Sequence, residues 1–91
     1  MYKENYIFPA IIEKLGEKDY NVTFADFDYI TTYGENLADA CTMAEDALKL
    51  AIFNLYKDKK EIPEASYIDK VGNNQSLILV EVNLKEVLQE I

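Results

Sequence analysis

Gly34-Glu35-Asn36-Leu37-Ala38-Asp39-Ala40 is where the chain changes period, from alternating strand-like residues to a helical repeat. Asn36 is a good N-cap, because its side-chain oxygen can accept from backbone N–H groups that have no partner in the first turn. Asp39, three positions later, stands where a capping-box acid belongs. The helix is therefore predicted to begin at Leu37. From there Leu37, Ala40, Cys41, Ala44, Ala47, Leu48, Ala51, Ile52 and Leu55 recur at steps of three and four and make one apolar face. Its alanines let that face lie close to a sheet.

Upstream, residues 5–13 are rich in Tyr, Ile, Phe and Ala on both alternating faces, as in a strand covered on both sides or lying at an oligomer contact. Pro9 has no N–H to give a ladder, so its nitrogen should face an edge or a bulge. Residues 15–19 read as a polar hairpin turn. Tyr20, Val22 and Phe24 then alternate with Asn21 and Thr23, the period of a strand with one buried face. Residues 29–33 are a third short strand. Downstream of the helix come a charged exit at 57–61, irregular backbone at Pro63 and a turn at 71–76. The apolar run 77–83 is expected as a last, more central strand. Leu84, Val87, Leu88 and Ile91 make a short terminal amphipathic helix that needs something to pack on. This predicts an α+β fold in β-β-β-α-β(-α) order, with a three- to four-stranded sheet packed on one long helix.

No segment repeats and no Gly/Ser/Pro linker divides the chain, so residues 1–91 read as a single domain. A content of 49% hydrophobic residues, with seven Tyr and four Phe, is that of a folding chain. Seventeen acidic against nine basic residues leave a net charge of −8. That balance repels nucleic-acid backbones and suits a basic protein partner, or simply keeps a small protein soluble. Cys41, the only cysteine, has no partner for an internal disulfide and reads as a small core residue. The opening Met1-Tyr2-Lys3-Glu4-Asn5-Tyr6 lacks the layout of a signal peptide, and no apolar run approaches the ~20 residues of a membrane span. A cytoplasmic protein with no membrane contact is expected.

With no histidine, imidazole catalysis and His-based metal sites are excluded. One cysteine excludes a zinc–thiolate cluster, and three scattered glycines exclude a phosphate-cradling loop. Carboxylates remain. Asp26 and Asp28, with Asp19 and Asp39, could in principle gather around two divalent ions; equally, Asp26 and Asp28 are turn formers and Asp39 is a cap. A second feature is the set Met43, Leu50 and Phe53, which lies off the main helix face. A helix resting on a sheet needs one apolar stripe, so a second must be covered by the terminal helix or by another chain. Tyr2, Tyr6, Tyr29, Tyr33 and Tyr56 are either core fillers or rigid interface anchors.

Several stretches occur in the order and spacing of HicB-type antitoxins: Phe8-Pro9-Ala10-Ile11-Ile12-Glu13-Lys14, Tyr20-Asn21-Val22-Thr23-Phe24 with Ala25-Asp26, residues 34–40, and Glu61-Ile62-Pro63-Glu64-Ala65-Ser66. Over about three quarters of its length the chain resembles that family. It departs from it at Ala25-Asp26-Phe27-Asp28-Tyr29-Ile30, where members often carry a Pro-Asp-Leu-Pro-Gly-Cys-like turn, and at Ala65, where a second proline is common. Many members continue into a DNA-binding domain, whereas this chain ends at Ile91, so operator DNA binding by this chain alone is not expected.

The resemblance implies a partial ribonuclease-H-like fold and a non-enzymatic antitoxin, without cofactor or metal, that occludes a small basic mRNA-cleaving (HicA-type) toxin. Met43, Leu50, Phe53, Asp26, Asp28 and Tyr29 are the candidate partner-binding residues, and a homo-oligomer is expected. The alternatives are a stand-alone oligomeric interaction module without a toxin, and a Mg2+-dependent nuclease using Asp19, Asp26 and Asp28.

Overall fold

A computed structural model describes residues 2–90. Its elements are β1 (Asn5–Gly16), β2 (Asp19–Phe24), β3 (Phe27–Gly34), α1 (Leu37–Lys57), β4 (Gln75–Asn83) and α2 (Leu84–Glu90). The strands form one antiparallel sheet in the order β3-β2-β1-β4, with α1 packed on one face. The α+β class and the element order are those expected.

One face of each strand builds the core. Tyr6, Phe8, Ala10 and Ile12 of β1, Val22 and Phe24 of β2, Phe27 and Ile30 of β3, and Val80 and Val82 of β4 are buried together with Ala40, Ala44, Leu48, Ala51 and Ile52 of α1. Phe8 meets Phe27 edge to face at 4.8 Å between ring centroids, the geometry the ring quadrupole favours. Three alanines among the five buried helix residues let backbone approach backbone, most closely at Gly34. A Cβ there would stand 2.4 Å from the Ala40 nitrogen and 2.6 Å from its Cα. Only glycine fits at the end of β3 beside the first turns of α1. Leu37 was expected on the buried face but is 49% exposed, because Gly34 meets the helix at Ala40 and leaves Leu37 one turn beyond the sheet.

The helix entry follows the sequence closely. Asn36 is extended, its Oδ1 accepts from Asp39 N–H at 2.8 Å, and Asp39 Oδ2 in return accepts from Glu35 N–H at 2.9 Å. At the exit, Lys60 N–H donates to Leu55 O at 2.9 Å and Lys59 N–H to Tyr56 O at 3.1 Å, with Lys59 at φ 58°. This is a Schellman-type stop, with lysine where glycine is usual.

Several boundaries differ from expectation. β1 runs on to Gly16, so the first hairpin turn is Glu17-Lys18 rather than residues 15–19. β3 begins at Phe27, so Asp28 is a strand residue and not a turn former. β4 is an edge strand, not a more central one: its apolar residues face the core on one side only, and Leu79 on the other is 71% exposed. The central strand is β1, and Pro9 is nonetheless accommodated. Lys14 N–H donates to Asn74 O and Leu84 N–H to Glu4 O, so even-numbered residues of β1 bond to β4 and odd ones face β2. The β2 ladder starts at Ala10–Phe24, one residue later, so the Pro9 nitrogen faces a place with no ladder to serve.

Residues 58–74 carry no regular structure but are tied down. Tyr2 hydroxyl donates to Lys60 O at 2.9 Å, and Ser66 N–H donates to both carboxylate oxygens of Asp26 at 3.1 and 3.0 Å. α2 follows β4 directly and docks by burying Leu84 and Val87, with Lys49 Nζ 3.4 Å from a Glu90 carboxylate oxygen. The last residue of its expected repeat, Ile91, lies outside the described residues. No described helix is long and apolar enough to cross a membrane.

Candidate functional site

β3 and α1 run beside each other at one edge of the sheet and leave a shallow groove of about 260 Å3, lined by Tyr29, Ile30, Thr31, Ala47, Leu50, Ala51 and Asn54. The helix side of this groove follows from spacing. Ala47, Leu50, Ala51 and Asn54 recur at steps of three and four, on the flank next to the buried face. Leu50 is 55% exposed, and Met43, seven residues before it on the same flank, is exposed as well. From the strand comes Tyr29, exposed and with its ring 6.1 Å from that of the buried Phe27. Beside it Asp28 is exposed and forms no hydrogen bond or ion pair among the described residues. The result is a largely apolar trough with the Tyr29 phenol and the Asn54 amide among its walls.

Of the sequence-predicted residues, Leu50 and Tyr29 line this groove; Met43 lies two turns from Leu50 on the same helix flank, and Asp28 is exposed on β3 without being part of the lining. Phe53 is not part of it. At about 100° per residue it turns away from Met43 and Leu50, is half-buried against the core, and has Lys57 Nζ 5.9 Å from its ring centroid. The supposed second stripe is therefore two separate features. The terminal helix does not cover the groove: its ion pair is to Lys49, four residues before Phe53 and on that flank.

Lys49 also lies 3.6 Å from Glu45. The hydrogen bond to Glu90, aided by the charges of Glu90 and Glu45, holds its ammonium above the usual lysine pKa. It serves as a brace between helices.

Asp26 has a structural role. It accepts from Ser66 backbone and hydroxyl and so clamps the middle of the irregular segment against the β2–β3 turn. Asp19 and Asp26 stand at opposite ends of β2, about 20 Å of strand apart. Among the described residues no three His, Cys, Asp or Glu side chains gather closely enough to hold a metal ion. The carboxylate constellation of the nuclease reading is thus not assembled.

A larger recess of about 700 Å3 lies where the N-terminal segment meets the helix exit, lined by Tyr2, Lys3, Tyr6, Lys59, Lys60, Glu61, Ile62, Pro63 and Glu64. Sequence reasoning missed it, since its walls come from segments more than fifty residues apart and no motif links them. Tyr6, a candidate interface anchor, is buried there with its hydroxyl accepting from Lys3 N–H at 2.7 Å. Tyr2 packs on Tyr56 at 5.1 Å.

Comparison with known proteins follows the same lines. The sequence model described as HicB-like antitoxin of bacterial toxin-antitoxin system matches residues 7–85. A solved structure described as a toxin-antitoxin complex from Streptococcus pneumoniae is similar with a TM-score of 0.77 and 23% sequence identity, covering 90% of this chain and 71% of that one. At that identity the likeness speaks for the fold. No curated protein matches in sequence.

Proposed function

Since the chain belongs to the HicB-like antitoxin family of bacterial toxin–antitoxin systems, we propose that it is a non-enzymatic antitoxin that neutralises a small, basic, mRNA-cleaving toxin of HicA type by covering its active surface. The family match over residues 7–85 carries this reading. The groove supports it physically. Tyr29 offers an amphipathic ring of the kind that anchors protein interfaces, Leu50 adds exposed apolar surface beside it, and Met43 extends that surface along the same helix flank. The net charge of −8 complements a basic partner and steers its approach. The same charge opposes direct binding to operator DNA or RNA by this chain alone. We read residues 1–91 as one cytoplasmic domain, and the β-β-β-α-β core as a partial ribonuclease-H-like fold, with no cofactor.

Co-purification of the tagged protein from its native host tests the reading. The expected result is a small basic protein that cleaves RNA once separated and is silenced on re-addition. Leu50→Arg should weaken that complex at least tenfold without changing the melting temperature by more than a few degrees. A partner that is not a ribonuclease, or an undiminished complex with Leu50→Arg, would count against the toxin or the groove respectively. A second reading, a self-associating module without a toxin, is favoured by one observation: β4 leaves its outer edge open.

A further inference from the structure

Sheets end at edges, and the two edges of this one are unlike. Along β3 the pairing is broken by a register shift at Thr23/Phe24, and the exposed strand carries Asp28. Bulges and charges of this sort are how proteins stop one edge from pairing with another. β4 is less protected, with Glu81 near its end as its one charge. Gln75–Asn83 pairs with β1 through nine consecutive residues without a shift and contains no proline, glycine, lysine or arginine. Residues 75–80 carry no charge at all.

The hydrogen-bond parity identifies what the open edge presents. Asn74 bonds to Lys14 of β1 and Leu84 to Glu4 just before it, so the even-numbered residues of β4 turn their backbone groups inward. Gln75, Leu77, Leu79, Glu81 and Asn83 turn theirs outward. Gln75 N–H is taken by Gly72 O at 3.2 Å. The N–H and C=O groups of Leu77, Leu79 and Glu81 find no partner among the described residues. Above this row Leu79 is 71% exposed, and with Leu77, Ile7, Pro9 and Ile11 it makes an apolar strip on the sheet face opposite α1.

We propose that β4 is the docking edge for a second copy of this chain, paired antiparallel about a two-fold axis through Ile78. This names the surface for the self-association reading and rests on that reading alone, not on the toxin. The sequence of the strand selects both occupant and register. Pairing about Ile78 sets Leu77 opposite the second copy's Leu79 and Ser76 opposite Val80. It also seats Glu81 against Gln75 of the other copy, keeping the two Glu81 carboxylates apart. Shifting the centre to Leu79 would face each Leu77 with a glutamate. The Leu77–Leu79 pairs are then the hydrogen-bonded ones, satisfying the outward groups of both leucines, and Ile78 faces Ile78 in a non-hydrogen-bonded pair. The two-fold closes the assembly, because the edges left outside are the protected β3 strands.

Two measurements on the full chain test this. Sedimentation should give twice the 10.5 kDa chain mass for the native protein and the single mass for Leu79→Lys, with circular dichroism unchanged because Leu79 is exposed. In a Cys41→Ala background, Ile78→Cys should cross-link to itself under mild oxidation. Non-hydrogen-bonded pairs lie about 4.5 Å apart at Cα, within disulfide range. Ser76→Cys should not cross-link, since its copies would be about 14 Å apart along the strands. A monomeric native protein, a dimer indifferent to Leu79→Lys, or equal cross-linking at both positions would overturn the proposal. If Leu79→Lys fails to fold, the contrast between positions 78 and 76 decides. Toxin capture depends on Leu50 instead, so the two readings fail separately.

Discussion

Single residues fix the joints of this fold. Gly34 is needed because a methyl group there would collide with the Ala40 backbone, and backbone cannot yield as a flexible side chain can. Gly34→Ala should therefore cost about 2–3 kcal/mol, an overpacking effect, read as a lowered midpoint in urea. Lys59 poses the opposite case. It holds φ 58° at the helix stop, where a Cβ is strained and glycine is at ease, so Lys59→Gly is expected to raise stability by about 1 kcal/mol. An unchanged or lower melting temperature would show that the lysine stem makes compensating contacts. Asp26 illustrates how a residue type misleads when read alone. Its carboxylate invited a metal or partner, yet both oxygens accept from Ser66. Asp26→Ala should speed amide exchange at Ser66 and expose residues 58–74 to protease, while the sheet amides keep their protection.

At the scale of elements, α2 is the one whose existence depends on its neighbours. Seven residues are too few for an isolated helix, and burial of Leu84 and Val87 supplies what propensity cannot. Val87→Ala should cost about 1–2 kcal/mol and remove exchange protection from α2 before any other element. The Lys49–Glu90 pair contributes less, because both side chains reach solvent and such pairs are worth under about 1 kcal/mol. The folded-state pKa of Lys49 is raised. Its contribution is therefore complete below the unfolded lysine value and disappears only as the pH climbs through the folded one. Loss of the lysine by Lys49→Met should leave the pH dependence of stability near neutrality unchanged and alter only the alkaline limb.

For the whole molecule, the excess of seventeen acids over nine bases acts at long range. Binding of a basic toxin should slow markedly as salt is raised, through the association rate, whereas Leu50→Arg should act mainly on dissociation. Stopped-flow mixing at two ionic strengths would separate the two effects. Much of this architecture could be read from the chain, because local chemistry determines it. The period switch at residues 34–40, the Asn36–Asp39 cap and the strand–strand–strand–helix–strand–helix order all follow from interactions within a few residues. Of the residues proposed from sequence as partner contacts, Leu50 and Tyr29 line the groove; whether they meet a partner is for the Leu50→Arg experiment to decide. What it could not determine are facts of neighbourhood. The apolar run of β4 suggested a central strand, but a strand's place in a sheet depends on which partners the topology supplies, and β4 received only β1. Phe53 and Leu50 sit three residues apart, yet one leans on the core and the other stays open, because the packing around α1 differs on its two flanks. The clamp from Asp26 to Ser66 spans forty residues and has no local signature. Such contacts are decided only when the chain has closed on itself.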